Sequence, residues 1–183
     1  MKYFTRLVCL FLVFGFAQVA YAQKYATQGG AIDFSSDAPL ELIEASSKKL
    51  RGVIDVNSNG FAFLVKMESF QGFNSELQRT HFNENYMESA KFPEAKFVGK
   101  IIDEFDATKP GKYNVRAKGK LHIHGIVQER TIQSVLEVKE GSMHITAKFR
   151  VPLVDHDISI PKIVNQKIAT EISVEISAEF VKK

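Results

Sequence analysis

His122 and His124 form an H-x-H pair, and Asp155-His156-Asp157 sets an imidazole between two carboxylates. On a β-strand, residues two apart share a face, so His122 and His124 could reach one metal ion together. An aspartate beside a histidine could orient the ring for general-base work, or help it hold a metal. One reading is therefore a metal-assisted periplasmic hydrolase using His122/His124 or Asp155/His156/Asp157. The surroundings argue against it. Lys118 and Lys120 share the face of the histidine pair, which marks it as solvent, and no carboxylate lies close to the pair in sequence. Asp155-His156-Asp157 follows Pro152 and reads as a charged surface loop. Ser35-Ser36 and Ser46-Ser47 have no nucleophile context, because the chain holds neither a G-x-S-x-G elbow nor a glycine-rich phosphate loop. The expectation is a binding protein and not an enzyme, with no catalytic residues, no metal and no cofactor.

The elements that would position any such group are strands. Tyr113, Val115, Ala117, Gly119, Leu121 and Ile123 alternate with Asn114, Arg116, Lys118, Lys120 and His122, which is a two-faced strand. Similar alternation runs through Gln28 to Ser35, Leu50 to Val56, Phe61 to Met67, Lys96 to Asp103, Ile126 to Val138, Met143 to Val151 and Ile168 to Val181. Leu42 to Ser46 is less regular, and Lys48-Lys49 reads as a turn. Asn57-Ser58-Asn59-Gly60, Lys109-Pro110-Gly111 and Lys139-Glu140-Gly141 are turn signals, and His124-Gly125 breaks the strand before it. Short turns make neighbouring strands antiparallel. The fold expected is all-β: a barrel of eight antiparallel strands, with a two-layer sandwich as the other packing that gives the same alternation.

One stretch departs from period two. Phe73, Leu77, Phe82, Tyr86 and Met87 fall near helical spacing, with Asn74 as the expected N-cap. Pro93 forces Phe92 out of helix. The spacing predicts a short helical insertion at about residues 74–91, lying across one mouth of the barrel, with His81 in its packing or on its rim.

Residues 1–22 read as a signal peptide: Lys2 and Arg6, an apolar run from Leu7 to Phe16, then Ala20-Tyr21-Ala22 before Gln23. The expected domain is residues 23–183, and the expected address periplasmic or secreted. The one cysteine, Cys9, would leave with the signal. The chain carries 24 Lys and Arg against 21 Asp and Glu, so removing Lys2 and Arg6 leaves 22 against 21. These charges are interspersed, which points away from nucleic acid as a partner, and no second apolar segment could span a membrane. A homodimer stays open.

The inward rows decide whether the barrel is a container. They mix bulky residues with Gly52, Gly99, Ala117, Gly119, Ala147 and Ala178. Glycines can mark bends in the wall, but the alanines ask for another explanation, a gap. The expected lumen is lined by Phe34, Phe61, Phe63, Val65, Met67, Phe97, Tyr113, Ala117, Leu121, Ile145, Ala147, Phe149, Ile172 and Ile176. With no inward charge, the fitting ligand is a long, thin, apolar chain. Each buried CH₂ adds about 0.8 kcal/mol, so a tail of several isoprene units could bind without polar contacts. The competing expectation is a solid barrel serving as an interaction protein.

The order of pieces resembles the YceI-like family of polyisoprenoid-binding periplasmic proteins. The resemblance is carried by Gly72-Phe73-Asn74, by the run from His81 to Gly99 with its Phe92-Pro93 pair, and by Gly119 to Val127 with its His122-Ile123-His124-Gly125 turn. It implies an extended, lipocalin-like barrel. It also implies a long-chain isoprenoid lipid, of quinone or prenyl phosphate type, in the lumen for transport, storage or sequestration. One departure stands out. The family's first strand commonly carries a His-Ser pair and a further histidine, whereas Gly30-Ala31-Ile32-Asp33-Phe34-Ser35-Ser36 has none.

Overall fold

The computed structural model of the protein describes residues 23–183, so the signal-peptide reading of residues 1–22 lies outside the described residues. Period-two alternation becomes eight strands: β1 (Lys24–Asp37), β2 (Leu42–Asp55), β3 (Gly60–Lys66), β4 (Glu94–Ile101), β5 (Gly111–Ile123), β6 (Ile126–Lys139), β7 (Ser142–Pro152) and β8 (Glu171–Lys182). They pair in chain order, every neighbour antiparallel, and β1 pairs with β8 to close a barrel. This decides for the barrel over the sandwich. Closure leaves no free sheet edge, and each strand turns one face inward. Outside, opposite charges pair across strands, as Arg150 does with Glu171 at 3.2 Å and Lys148 with Glu175.

Lys48-Lys49 is not a turn. β2 runs through it, and its buried face changes phase there, from Ile43, Ala45 and Ser47 to Leu50, Gly52 and Ile54. Opposite, β1 shifts register on both sides of Gly30. These β-bulges slip the pairing without ending the strand, and they bend the wall. The strand read as Ile168 to Val181 starts at Glu171, so Ile168, Ala169 and Thr170 precede it.

The insertion between β3 and β4 folds as helix α1 (Glu76–His81) running into a π-helical turn (Phe82–Tyr86). The N-cap is Ser75, whose Oγ accepts from the Gln78 amide at 3.1 Å. Asn74, the expected cap, instead donates from its side chain to the Leu42 carbonyl at 3.0 Å. The insertion thereby ties its start to the beginning of β2, and Gln78 Nε2 adds a bond to Glu41 in the β1–β2 loop at 2.9 Å. Among the described residues no helix is long and apolar enough to cross a membrane.

The two ends of the barrel differ. At the end holding the β2–β3, β4–β5 and β6–β7 turns, Ile54, Leu136, Met143 and Phe180 are fully buried and fill the interior. Gly52 makes room for this packing, since a Cβ there would meet the Phe180 ring at 3.0 Å. The opposite end carries the β1–β2 loop, the insertion, the His124-Gly125 turn and the long β7–β8 connection. Gly99 and Gly119 pair across β4 and β5, and a Cβ on Gly99 would stand 2.1 Å from the Lys118 carbonyl oxygen. That approach of backbones explains both glycines without any cavity.

Candidate functional site

Above the filled end, the barrel interior is not solid. A cavity of about 500 Å³ remains, in the range of roughly 300–1,000 Å³ that encloses whole small-molecule ligands. Of the fourteen residues expected in the lumen, thirteen border it: Phe34, Phe61, Phe63, Val65, Met67, Phe97, Ala117, Leu121, Ile145, Ala147, Phe149, Ile172 and Ile176. Tyr113 does not. It stands near the far end of β5, its hydroxyl donates to the Lys109 carbonyl at 3.0 Å, and its ring packs on Phe105. Strand alternation gave its face but not its depth. Two of the small residues do make space, because Ala117 and Ala147 lie on the wall. Ala178 does not, because its Cβ fills the place a side chain on Gly30 would need.

Much of the upper lining comes from residues that alternation could not reveal. Phe70, Phe73, Phe82, Tyr86 and Met87 descend from the insertion. Phe82 stacks on Phe34 with ring centres 5.4 Å apart, and Phe70 and Phe73 pack around the same ring at 5.3 and 5.9 Å. Burial pushes the Tyr86 phenol above its ordinary pKa. The near-helical spacing of Phe73, Phe82, Tyr86 and Met87 was the signal, since the apolar stripe of a lid must face something apolar, whereas Phe70 lay outside that stripe. Polar residues border the cavity mainly at this mouth: Glu41, Ser75, Gln78, His81 and Lys167. Glu41 is already engaged, accepting from Gln78 Nε2 at 2.9 Å.

The candidates for chemistry lie elsewhere, and His124 and Asp155 are engaged in contacts within the protein. His124 sits at φ +50° in a two-residue turn, so it has left the strand and no longer shares the face of His122. Its Nε2 lies 2.7 Å from Glu88 Oε2, and its Nδ1 3.0 Å from the His156 carbonyl oxygen. Asp155 accepts from Arg130 at 2.6 Å. His156 is not in a surface loop but fully buried, within a 3-10 turn (Leu153–His156). Burial, above all, pushes its pKa below the usual imidazole value; the nearby carbonyls of Ile123 and Ile126 oppose the shift without completing a hydrogen bond to either ring nitrogen. These groups do not converge, and among the described residues no three of His, Cys, Asp and Glu gather as metal ligands would. The serines are structural too: Ser36 Oγ accepts from the Ala169 amide at 2.8 Å, and Ser47 pairs with Ser69 at 2.7 Å.

A barrel built this way, with its lid and its apolar interior, can be set beside known proteins. The YceI-like domain matches residues 24–180, nearly the whole described chain. The chain belongs to the YceI-like family. No curated protein matches it in sequence. Among solved structures, it is similar to a polyisoprenoid binding domain from Saccharophagus degradans implicated in plant cell wall breakdown, with a TM-score of 0.72 at 13% identity, covering 88% of this chain and 99% of that one. It is also similar to Burkholderia cenocepacia BcnA, with a TM-score of 0.68 at 14% identity, covering 82% and 95%. A Campylobacter jejuni YCEI protein superimposes with a TM-score of 0.58 at 16% identity, covering 76% and 84%. At these identities the likeness is one of fold.

The YceI-like motifs acquire a physical meaning here. Two of the three stretches that carry the resemblance meet in space. The Phe92 ring lies edge-on to His124 at 4.7 Å and closes over Gly125, where a Cβ would stand 2.5 Å from it. The Phe-Pro pair and the His-Gly turn are the two halves of one joint, which fixes the base of the lid to the β5–β6 turn.

Proposed function

We propose that this YceI-like protein is an exported lipid carrier whose lumen holds the tail of a long-chain isoprenoid, of quinone or prenyl phosphate type, for transport, storage or sequestration. One observation carries the reading: an apolar cavity of about 500 Å³ with its polar lining gathered mainly at one mouth. Such a polarity gradient suits a ligand with an oily tail and a single polar head. The tail contributes about 0.8 kcal/mol for each buried CH₂, and the head stays among Ser75, Gln78, His81 and Lys167. Eight phenylalanines border the cavity, and gaps between tilted rings accept methyl branches better than a smooth wall would. The similarity to a polyisoprenoid binding domain supports the same ligand class. Binding and release, with no bond made or broken, are all that these groups require.

Native mass spectrometry of delipidated protein, titrated with an isoprenoid quinone and with a prenyl phosphate, tests the reading. The expected result is a one-to-one complex with at least one of them. Failure of both to bind would contradict it.

A further inference from the structure

We propose that the open end of the barrel is a docking face for the surface of a membrane containing anionic phospholipids. The inference rests on the reading of the cavity as a lipid site. It draws mainly on other residues, sharing Leu77, Val164 and Lys167 with the cavity.

Among the described residues, four large apolar side chains are more than 60% exposed: Leu40 (65%), Leu77 (64%), Val154 (81%) and Ile163 (91%). All four lie in the connections at the open end, Leu77 on α1 and Val154 in the 3-10 turn, and the closed end has none. Single exposed leucines are ordinary on soluble proteins, whereas several gathered around one opening mark a contact surface. Leu77 itself borders the cavity, and Ile163 precedes Val164, which also does. The Leu40 amide donates to the Gln166 carbonyl at 2.9 Å, so the β1–β2 loop and the Ile163 turn form one joined rim.

Charge selects the kind of surface. From Ile158 to Thr170 the chain carries Lys162 and Lys167 and no acid. Both lysines are exposed on either side of the apolar turn. Isoleucine and valine that can enter the acyl boundary, flanked by lysines that can reach phosphates, are the composition of an interfacial segment. Glu76 and Asp155 at this end are paired with Arg79 and Arg130. Glu41, bound by the neutral Gln78, and the exposed Asp37, Glu84 and Asp157 lie outside the Lys162–Lys167 turn, so the basic patch is local to that turn. Geometry adds a reason for the contact. The other end is plugged by buried side chains, so a tail leaving a bilayer enters through this rim without crossing water.

Co-sedimentation of the mature chain with vesicles tests the proposal. Vesicles of phosphatidylglycerol and phosphatidylethanolamine are compared with phosphatidylcholine alone. The expected result is binding to the anionic vesicles, weakened by raised salt. Ile163→Asp and Leu40→Asp should each lower it at least tenfold, and Lys162→Glu should lower it on anionic vesicles. Neither Leu40, Lys162 nor Ile163 borders the cavity, so bound lipid and melting temperature should stay unchanged. No sedimentation of the wild type, or undiminished sedimentation of all three variants, would overturn the proposal. So would a dimer in sedimentation velocity that Ile163→Asp disperses, since the rim would then be covered by a second copy. Vesicle binding by a protein whose extract holds no lipid would count against the cavity reading and leave the docking face standing.

Discussion

Ala117 and Ala147 are the residues on which the lumen turns. Both border the cavity from opposite sides of β6, and neither is explained by a bend in the wall. Ala147→Phe or Ala117→Phe should place a ring in the space a tail occupies and reduce the lipid recovered with purified protein several-fold. The stability cost should be about 1–3 kcal/mol, read from urea midpoints. Normal lipid content in both folded variants would show that the ligand lies elsewhere. His156 gives a second residue-scale test. Its folded pKa lies below the unfolded value of 6.5, so the folded state binds fewer protons between the two. Its contribution to stability is therefore complete above about pH 6.5 and lost as the pH falls toward the depressed value. Urea midpoints should drop from pH 7.5 to pH 5, and His156→Leu should flatten that slope. An unchanged slope in the variant would assign acid sensitivity to other groups. Nothing in the sequence marked His156 as buried, because a charged tripeptide after a proline has the composition of a loop. In the fold the start of the β7–β8 connection lies against the His124-Gly125 turn, where the His156 carbonyl oxygen meets His124 Nδ1 at 3.0 Å.

At the scale of elements, the lid is fastened at two points. Gln78 and Asn74 tie its start to the β1–β2 loop and the beginning of β2, and Glu88, with Phe92, ties its end to His124. A hydrogen bond to a charged partner contributes about 1.5–3 kcal/mol, so His124→Ala should free the end of the lid without unfolding the barrel. Amide exchange across residues 76–92 should quicken about tenfold, with the strands unaffected, and bound isoprenoid should dissociate faster. Exchange that stays slow would mean that Phe92 packing alone holds the joint. The existence of the insertion was legible from its 3.6-residue spacing. Its cap was not, because Asn74 and Ser75 are equally good caps in isolation, and Asn74 is engaged instead with the Leu42 carbonyl of β2. The Lys48-Lys49 pair misled for a related reason. A break in alternation is what both a turn and a bulge produce, and only the partner strand distinguishes them.

For the whole molecule, closure of the sheet is decided by the pairing of β1 with β8, since one-sided alternation suits a barrel and a sandwich alike. The antiparallel strand order follows from short turns visible in sequence. The position of the filled and open ends does not, since it depends on how far each inward residue lies along the barrel axis. Tyr113 shows this: it has the inward phase but sits at the end of β5 beyond the cavity. The glycines likewise divide by depth and partner. Gly52 admits the plug, Gly99 and Gly119 let two backbones approach, and only the alanines at Ala117 and Ala147 leave room. A barrel plugged below and lidded above is a vessel with one entrance, and its central claim is its content. Mass spectrometry of an organic extract of the protein, purified from the cells that make it, tests this most directly. The account predicts a stoichiometric isoprenoid lipid. An extract empty of lipid from protein that also fails to take up added isoprenoid would contradict it.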